Sequence, residues 1–476
     1  MTQPLITQLQ AALGADQVLM DPVAQAPYLK DWRGRYQGRA LAVVLPQTTD
    51  QVADVVRRCV AANTPIVPQG GNTGLCGGAT PDQSGLAVVV CMTHMNRIRE
   101  VDARNFSITA EAGATLDDLK AAADAVNRLY PLTLGAGHQS TLGGTLSTNA
   151  GGLQVLRYGM TRDLCLGLEV VLPDGTVWSK LAGLRKDNTG FDLKQWFIGA
   201  EGTLGLITAA TMKLYPKPAA RALIWLDLPD VNEAVRAHER AQSVFAGAQT
   251  AAELISVPTL ALVRRHLPSA TLPMGASWPA SADRWALMIE VSGNDTAFLD
   301  ALLDGWRRAC ERDGKAHGLL ATREADQQAL WAVRKGLAEA QKREGLSIKH
   351  DIGLPISQIP QFMDEASVAL ENAYPGIRIV AFGHIGDGNL HYNLSYADPV
   401  ANAALLAKSG EANAIVYDVV SRLGGSIAAE HGIGQLKTDW LEAHAPEGSI
   451  ALMQKLKSLL DPKGLMNPGK VLGARK

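Results

Sequence analysis

Apolar and polar positions follow two rhythms along this chain. Short apolar runs of strand length, ALAVVLP (40–46) and LAVVVC (86–91), carry no helical spacing. FSITAEAG (106–113) reads as a further strand, and PIVPQG as a short strand that enters a loop. LEVVLPDGTVWS (168–179) predicts a hairpin that turns at Asp174-Gly175. Between these runs, TTDQVADVVRRCVAANTP has a Thr cap, Asp50 in its first turn and apolar positions at helical spacing, ending at Asn63. TLDDLKAAADAVNRL is a second capped helix, and MTQPLITQLQAALGADQ suggests a short amphipathic helix at the start.

Tyr215-Pro216-Lys217-Pro218 punctuates the pattern. Beyond it, RALIWLDLP and RWALMIEVSG have the character of strands, and the segments near 231–244, 295–313, 357–373 and 402–423 that of helices. This alternation predicts a second α+β domain built on an antiparallel sheet. ALMQKLKSLLDPKGLMNPGKVL is a helix stopped at Asp461-Pro462, with a Gly/Pro-rich tail. The expected organisation is an N-terminal helical segment (1–37), a glycine-rich α+β domain (38–217), a second α+β domain (218–445) and a C-terminal helix and tail (446–476).

Composition narrows the class. Of 476 residues, 47% are apolar and 19% charged, which fits a globular enzyme and is too apolar for disorder. A formal net charge of −2 gives no electrostatic case for nucleic acid. No apolar run approaches the ~18 residues of a membrane-spanning helix, and the N-terminus lacks the basic start and apolar core of a signal peptide. The cysteines, Cys59, Cys76, Cys91, Cys165 and Cys310, are odd in number and form no C-x-x-C. A reducing compartment, the cytoplasm, is expected.

Three glycine clusters fall in the first domain: PQGGNTGLCGG (68–78), LGAGHQSTLGGTLSTNAGGLQVLRYG (134–159) and FIGAEGTLGLIT (197–208). Glycine lets the backbone approach a ligand and line up N–H groups as an anion nest, for which a pyrophosphate is the natural guest. No G-x-G-x-x-G follows a strand, so a nicotinamide-type fingerprint is unsupported. GLMNPGKV (464–471) ends in Val471 where a phosphate loop has Ser or Thr, and no helix follows.

FGHIGDGNLHYN (382–393) and AEHGIG (429–434) supply His384, His391, Glu430 and His431. Two imidazoles and a carboxylate suit a divalent metal with open positions, and a histidine beside a ligand suits a base. His384 and His391 are seven apart, so one unbroken strand would turn them to opposite faces. The Gly386-Asp387-Gly388 turn signal between them lets a reversal bring both to one side. Glu430, after Gly424-Gly425 and a short apolar run, is expected at a strand end. Arg334, in the helical LWAVRKGLAEAQ, has a planar fork suited to a carboxylate. In LSIKHDIGLP, period two puts Lys349 and Asp351 on one face and His350 on the other.

In this order the motifs resemble the FAD-linked oxidoreductases of the vanillyl-alcohol oxidase type that carry the FAD-linked-oxidase C-terminal domain. The likeness runs from about residue 38 to 473. LAGLRKDNTGFDLKQWFIGAEGTLGLIT (181–208) and PQGGNTGL are most similar to the D-2-hydroxyglutarate dehydrogenase branch, with D-lactate and glycolate dehydrogenases next. The resemblance implies a two-part α+β FAD-binding domain with the flavin extended between its parts, and an α+β substrate domain over the ring. Pro68, Gln69, Gly70, Gly71, Asn72, Thr73, Gly74 and Leu75 would cradle the pyrophosphate. Gly135, Ser140, Gly144, Asn149, Gly151, Gly152, Glu201, Gly202 and Ile207 would line the cofactor, and Asn467 would reach toward the isoalloxazine. Asn72 stands in the loop where some members attach flavin through a histidine, so the FAD is expected to be non-covalent.

The resemblance further implies a divalent metal, usually zinc, on His384, His391 and Glu430. It gives proton abstraction to His431, and substrate binding to Arg334, Lys349 and Asn393. The expected reaction is oxidation of a D-2-hydroxy acid, D-2-hydroxyglutarate to 2-oxoglutarate, by metal-assisted proton abstraction and hydride transfer to flavin. A Thr of that branch, four residues after the Arg, is Ala338 here. The alternatives are D-lactate or another D-2-hydroxy acid as substrate, and a non-catalytic flavoprotein subunit that relays electrons. The electron acceptor would be an electron-transfer flavoprotein, a quinone or a cytochrome, and a homodimer is one arrangement left open.

Overall fold

Thr48 caps the helix Thr49–Ala61 by accepting the Gln51 amide, and Asp50 lies in its first turn. Val52, Ala53, Val55, Val56 and Cys59 form its buried stripe. The second predicted helix starts in a capping box, Thr115 with Asp118, but ends at Asp124. Asn127 turns left-handed there, and Arg128–Leu129 become a short strand.

The computed structural model describes residues 2–270 and 284–473. Met1 and residues 474–476, at the outer ends of the expected first and last segments, lie outside the described residues. Two compact units are present: unit 1 comprises Met1–Gly152, Tyr158–Lys217 and Glu430–Lys476, and unit 2 Leu153–Arg157 and Pro218–Ala429. Residues 430–445 thus group with unit 1, whereas the sequence pattern attached them to the domain after Pro218. Hydrogen bonds from Ile433 and Gly434 to Glu201, and from Gln435 to Cys76, hold them there.

The first sheet of unit 1 is built from β1 (Val18–Leu19), β2 (Ala42–Val44), β3 (Ile66–Gln69) and β4 (Val88–Cys91), in the order β1-β2-β4-β3. β2, β4 and β3 run parallel, with β1 antiparallel at the edge. Every residue of β2 and β4 is buried, which explains their unbroken apolar runs. Seven more strands follow: β5 (Ile98–Asp102), β6 (Ser107–Glu111), β7 (Arg128–Leu129), β8 (Cys165–Val171), β9 (Val177–Lys180), β10 (Leu206–Lys213) and β11 (Tyr215–Pro216). An antiparallel sheet runs β5-β6-β10-β8-β9, and β7 pairs with β11. The predicted hairpin is β8–β9, with the Thr176 amide on Asp174 at its turn. The N-terminal helix Thr2–Leu13 buries Leu5, Ile6, Leu9 and Leu13 in the core of unit 1, so it is part of that unit.

Unit 2 carries β12 (Ala220–Leu228), β13 (Gln249–Ser256), β14 (Trp285–Gly293), β15 (Leu319–Ala321), β16 (Ile348–Gly353), β17 (Arg378–His384) and β18 (Asn389–Ser395). They form one antiparallel sheet in the order β15-β12-β14-β13-β17-β18-β16. Three predicted helices occur as Val231–Phe245, Thr296–Arg312 and Ile359–Ala373. The stretch expected as one helix over 402–423 is two, Pro399–Ala407 and Ser409–Arg422. Asp398 caps the first, and the backbone leaves helical geometry at Lys408, beside the weak helix formers Ser409 and Gly410. The 21-residue helix Glu324–Glu344 packs Leu330, Val333 and Leu337 into a cluster with Ile255, Val380 and Phe382 of the sheet. Among the described residues, no helix is long and apolar enough to cross a membrane.

Candidate active site

In unit 1 the glycine clusters converge at the end of β3. Pro68 and Gln69 are its last residues, and Gly70–Leu75 form the loop that follows. The Gln69 side chain donates to the Tyr28 and Ala79 carbonyls at 2.9 Å, and Asn72, with φ 53°, donates to the Lys30 carbonyl at 2.8 Å. These bonds fix the loop. A Cβ on Gly71 would stand 1.7 Å from the Gln139 carbonyl oxygen, so only glycine permits this approach to the second cluster. Thr73 and Ser140 share a hydroxyl–hydroxyl contact of 3.1 Å. Gly202, at φ +72°, brings the third cluster against Pro68, where a Cβ would meet the ring at 2.3 Å.

Asn149 ends the helix Leu142–Thr148 in left-handed backbone, just before Gly151 and Gly152, and accepts the Arg162 amide. Gly144 donates its amide to Thr141. Asn467 joins from the C-terminal tail and donates to the carbonyls of Gly78 (3.0 Å) and Glu201 (2.7 Å). Its Oδ1 is buried with no partner among the described residues. A flavin fits this set, since it offers an anionic pyrophosphate to the loop and N–H groups to a buried acceptor. Ile207 belongs to the apolar core. Glu201 directs both carboxylate oxygens at the Ile433 and Gly434 amides, at 2.8 and 2.9 Å. Burial raises its pKa, and those amides with Lys437 and Lys470 only partly offset this. Cys76 is buried and its thiol donates to the Gly432 carbonyl, so the HGIG stretch is held at two points.

In unit 2 the predicted strand residues share one face of three neighbouring strands, β17, β18 and β16. The β17–β18 hairpin turns through 385–388, which puts His384 opposite Asn389 and His391 opposite Phe382. His391 is therefore a diagonal neighbour of His384 on the same face, with ring centroids 5.9 Å apart and ligand nitrogens within 4.8 Å. Lys349 pairs across with Asn393, and Asp351 with His391. His350 faces the other way, between the Tyr392 carbonyl (2.7 Å) and Asn413 (2.9 Å), as the period-two reading requires. Lys349 is exposed, whereas Asn393 is buried, donates to Gln341 at 3.0 Å and keeps an unpartnered Oδ1 among the described residues.

Arg334, on the helix Glu324–Glu344, is 8% exposed. Its Nε donates to Glu253 Oε2 at 2.6 Å, and Glu253 Oε1 lies 2.6 Å from His384 Nδ1. Glu253 is fully buried on β13, directly opposite His384. Burial pushes its carboxyl up, but Arg334 and His384 more than offset this and hold it below the usual carboxylate range. The sequence reading did not single out Glu253. Its signal was a lone carboxylate inside QTAAELIS, an eight-residue strand in which every residue is buried. Glu430 is not on a strand. The chain makes a single bridge, Ser426 to Gly353, and the Ala429 amide meets the Asp351 carbonyl at 3.4 Å. Glu430 and His431 follow directly in sequence, in a bend.

Comparison with known proteins fits both halves of this description. An FAD binding domain matches residues 40–179, and the FAD linked oxidases C-terminal domain matches 217–471. D-2-hydroxyglutarate dehydrogenase of Stutzerimonas stutzeri is 33% identical, covering 100% of both chains. The protein of that name from Xanthomonas citri pv. viticola is 34% identical over 99% of this chain and 97% of its own. The Bos taurus relative, named as mitochondrial, is 35% identical over 96% of this chain and 81% of its own. Among solved structures, p-cresol methylhydroxylase with substrate bound matches with a TM-score of 0.77 at 18% identity, covering 99% of this chain and 96% of that one. Alkyldihydroxyacetonephosphate synthase matches at 0.73 and 20%, covering 98% and 85%. These two share the fold of the vanillyl-alcohol oxidase type, and the curated relatives share sequence along nearly the whole chain. The chain belongs to the FAD-linked oxidase family, and it is a flavoprotein oxidoreductase.

Proposed function

We propose that this chain oxidises D-2-hydroxyglutarate to 2-oxoglutarate, using non-covalent FAD and a divalent metal, zinc in the first instance, at His384, His391 and Glu430. The observation that carries the reading is the shared face of unit 2: two imidazoles within metal-ligand spacing beside Arg334, Lys349 and Asn393. The relatives of that name, similar over nearly the full chain, support the substrate. Glu430 is peptide-bonded to Ala429, whose amide meets the β16 backbone, and this supports it as the third ligand. When bound, FAD supplies a hydride acceptor and the metal supplies Lewis acidity toward a hydroxyl.

The protein's own groups do the rest. His431 takes the proton of the substrate hydroxyl. Lys349, the unpartnered Oδ1 side of Asn393 and the N–H groups of Arg334 not used by Glu253 orient the distal carboxylate. The loop Pro68–Leu75 holds the pyrophosphate through its amides, and Asn467 Oδ1 accepts an N–H of the flavin. Electrons leave to an electron-transfer flavoprotein, a quinone or a cytochrome. The five cysteines are free and buried, which supports a reducing compartment, here the cytoplasm, and a homodimer is the simplest assembly.

D-lactate is the second reading, and one observation favours it. Glu253 pairs with Arg334 and so reduces the charge Arg334 offers a distal carboxylate, and Ala338 adds no hydroxyl. Anaerobic mixing of the FAD-loaded protein with a panel of D-2-hydroxy acids decides between them. Rapid bleaching of flavin absorbance by D-2-hydroxyglutarate and slow bleaching by D-lactate is the expected result. The reverse order selects the second reading, and no bleaching by any 2-hydroxy acid rejects both.

A further inference from the structure

Glu253, on the ligand face, is fully buried and bonded on both oxygens, one to Arg334 and one to His384. A carboxylate can only accept, so Nδ1 of the His384 ring carries a proton, and the neutral ring then has its lone pair on Nε2. Nε2 stands 3.5 Å from Arg334 Nη2. A metal cation at Nε2 would therefore sit near a guanidinium, and two positive charges in a buried setting repel strongly unless a nearby anion offsets them. Glu253 supplies that charge from behind the ring: it sits directly across the strand pair from His384, and it bonds His384 Nδ1 with one oxygen and Arg334 with the other.

We infer that Glu253 is the positioning residue of the metal site: it fixes the His384 imidazole with Nε2 turned to a divalent cation, and it supplies the negative charge that lets this cation and Arg334 share one face. The inference rests on the metal reading above. It gives Arg334 a second task as the clamp on the far oxygen of Glu253, which stops the carboxylate from turning away from the ring. Removing such a partner behind a metal-bound histidine costs about 10–100-fold in metal affinity.

The test uses FAD-loaded, metal-stripped full-length protein titrated with cobalt(II), followed by its visible ligand-field spectrum and by competition with a chelating dye. Wild type should take up one equivalent, and His384→Ala should lose the spectrum. Glu253→Gln should bind about 10–100-fold more weakly with an altered spectrum. Because Glu253→Gln leaves Arg334 buried and unpaired, it is paired with the double variant Glu253→Gln/Arg334→Gln, which has no orphan charge, and retained FAD and thermal melting report its fold. A folded double variant with weakened cobalt(II) binding supports the inference even if the single variant fails to fold. A double variant that binds as wild type overturns it, since Glu253 would then serve only as a counter-ion to Arg334, while the metal site itself stands. A wild type that binds no cobalt(II) overturns the metal reading and this inference with it.

Discussion

Glu201 and Gly434, 233 positions apart in the chain, are joined by a 2.9 Å hydrogen bond from the Gly434 amide to Oε2. The other oxygen takes the Ile433 amide at 2.8 Å. These two bonds hold the backbone immediately after His431, so the third glycine cluster anchors the stretch that carries the proposed base. Glutamine at 201 would keep one acceptor and turn an NH₂ group toward the second amide. A buried donor left without an acceptor costs ~1–3 kcal/mol. Glu201→Gln should melt several degrees below wild type, at about 2–4 °C per kcal/mol for a domain of this size. Equal melting temperatures would show that the stretch is held by other contacts.

His431 lies within this fixed stretch and next to Glu430. His431→Ala should retain FAD and metal, since neither the glycine clusters nor the proposed ligands change. Flavin reduction by substrate should slow by ~10²–10⁴-fold, the usual contribution of a positioned base. Anaerobic stopped-flow reduction reads this directly. A variant that reduces its flavin at near wild-type rate at neutral pH would assign the proton to another group.

The strands and capped helices were legible because local signals agreed with the fold. The runs at β2 and β4 are apolar throughout because both faces are covered, and Thr48 and Thr115 mark helix starts by their hydrogen bonds. The face shared by His384 and His391 followed from one turn between two odd-spaced histidines. What escaped were relations made across the sheet or across long stretches of chain. Glu253 is 131 positions from His384, and nothing local tells a buried carboxylate from one at a surface. The grouping of residues 430–445 depends on Glu201 in the same way. The break at Lys408 and the early end at Asp124 are each a matter of one or two residues of weak helix propensity, below what a periodic pattern resolves.

Glu344 supplies a pH dependence away from the site. It accepts from Arg265, His266 and Arg378 at the end of its helix. Burial pushes its carboxyl up, but His266, Arg378 and Arg265 outweigh this and hold it at about 2, against an ordinary value of 4.5. A lowered folded-state pKa adds stability that is complete above 4.5 and is lost as pH falls toward 2. The melting temperature of Glu344→Gln should lie below wild type at neutral pH, and the gap should close between pH 4.5 and 2. A gap constant across this window would mean that the cluster gains nothing from the ionised carboxylate.

Lys349 is the proposed determinant of substrate choice. It pairs across the sheet with Asn393 and is exposed, and Arg334 is bonded to Glu253. In the proposed site a metal held by His384, His391 and Glu430 would engage the carboxylate and hydroxyl common to all 2-hydroxy acids. In the proposed site a second carboxylate would meet Lys349 together with Arg334 and Asn393. A hydrogen bond to a charged group contributes ~1.5–3 kcal/mol, which is roughly ten- to a hundred-fold in kcat/KM. That is well below the cost of breaking a fully buried pair, because Lys349 remains solvated when the site is empty of substrate. Lys349→Met should lower kcat/KM for D-2-hydroxyglutarate by this factor and leave D-lactate within about two- to three-fold of wild type, a change of less than ~1 kcal/mol. Steady-state kinetics with both acids, on wild type and variant, provide the four values needed. Equal losses for the two acids would mean that Lys349 supports the sheet rather than the distal carboxylate. The discrimination would then have to come from Arg334 and Asn393, both buried on the same face.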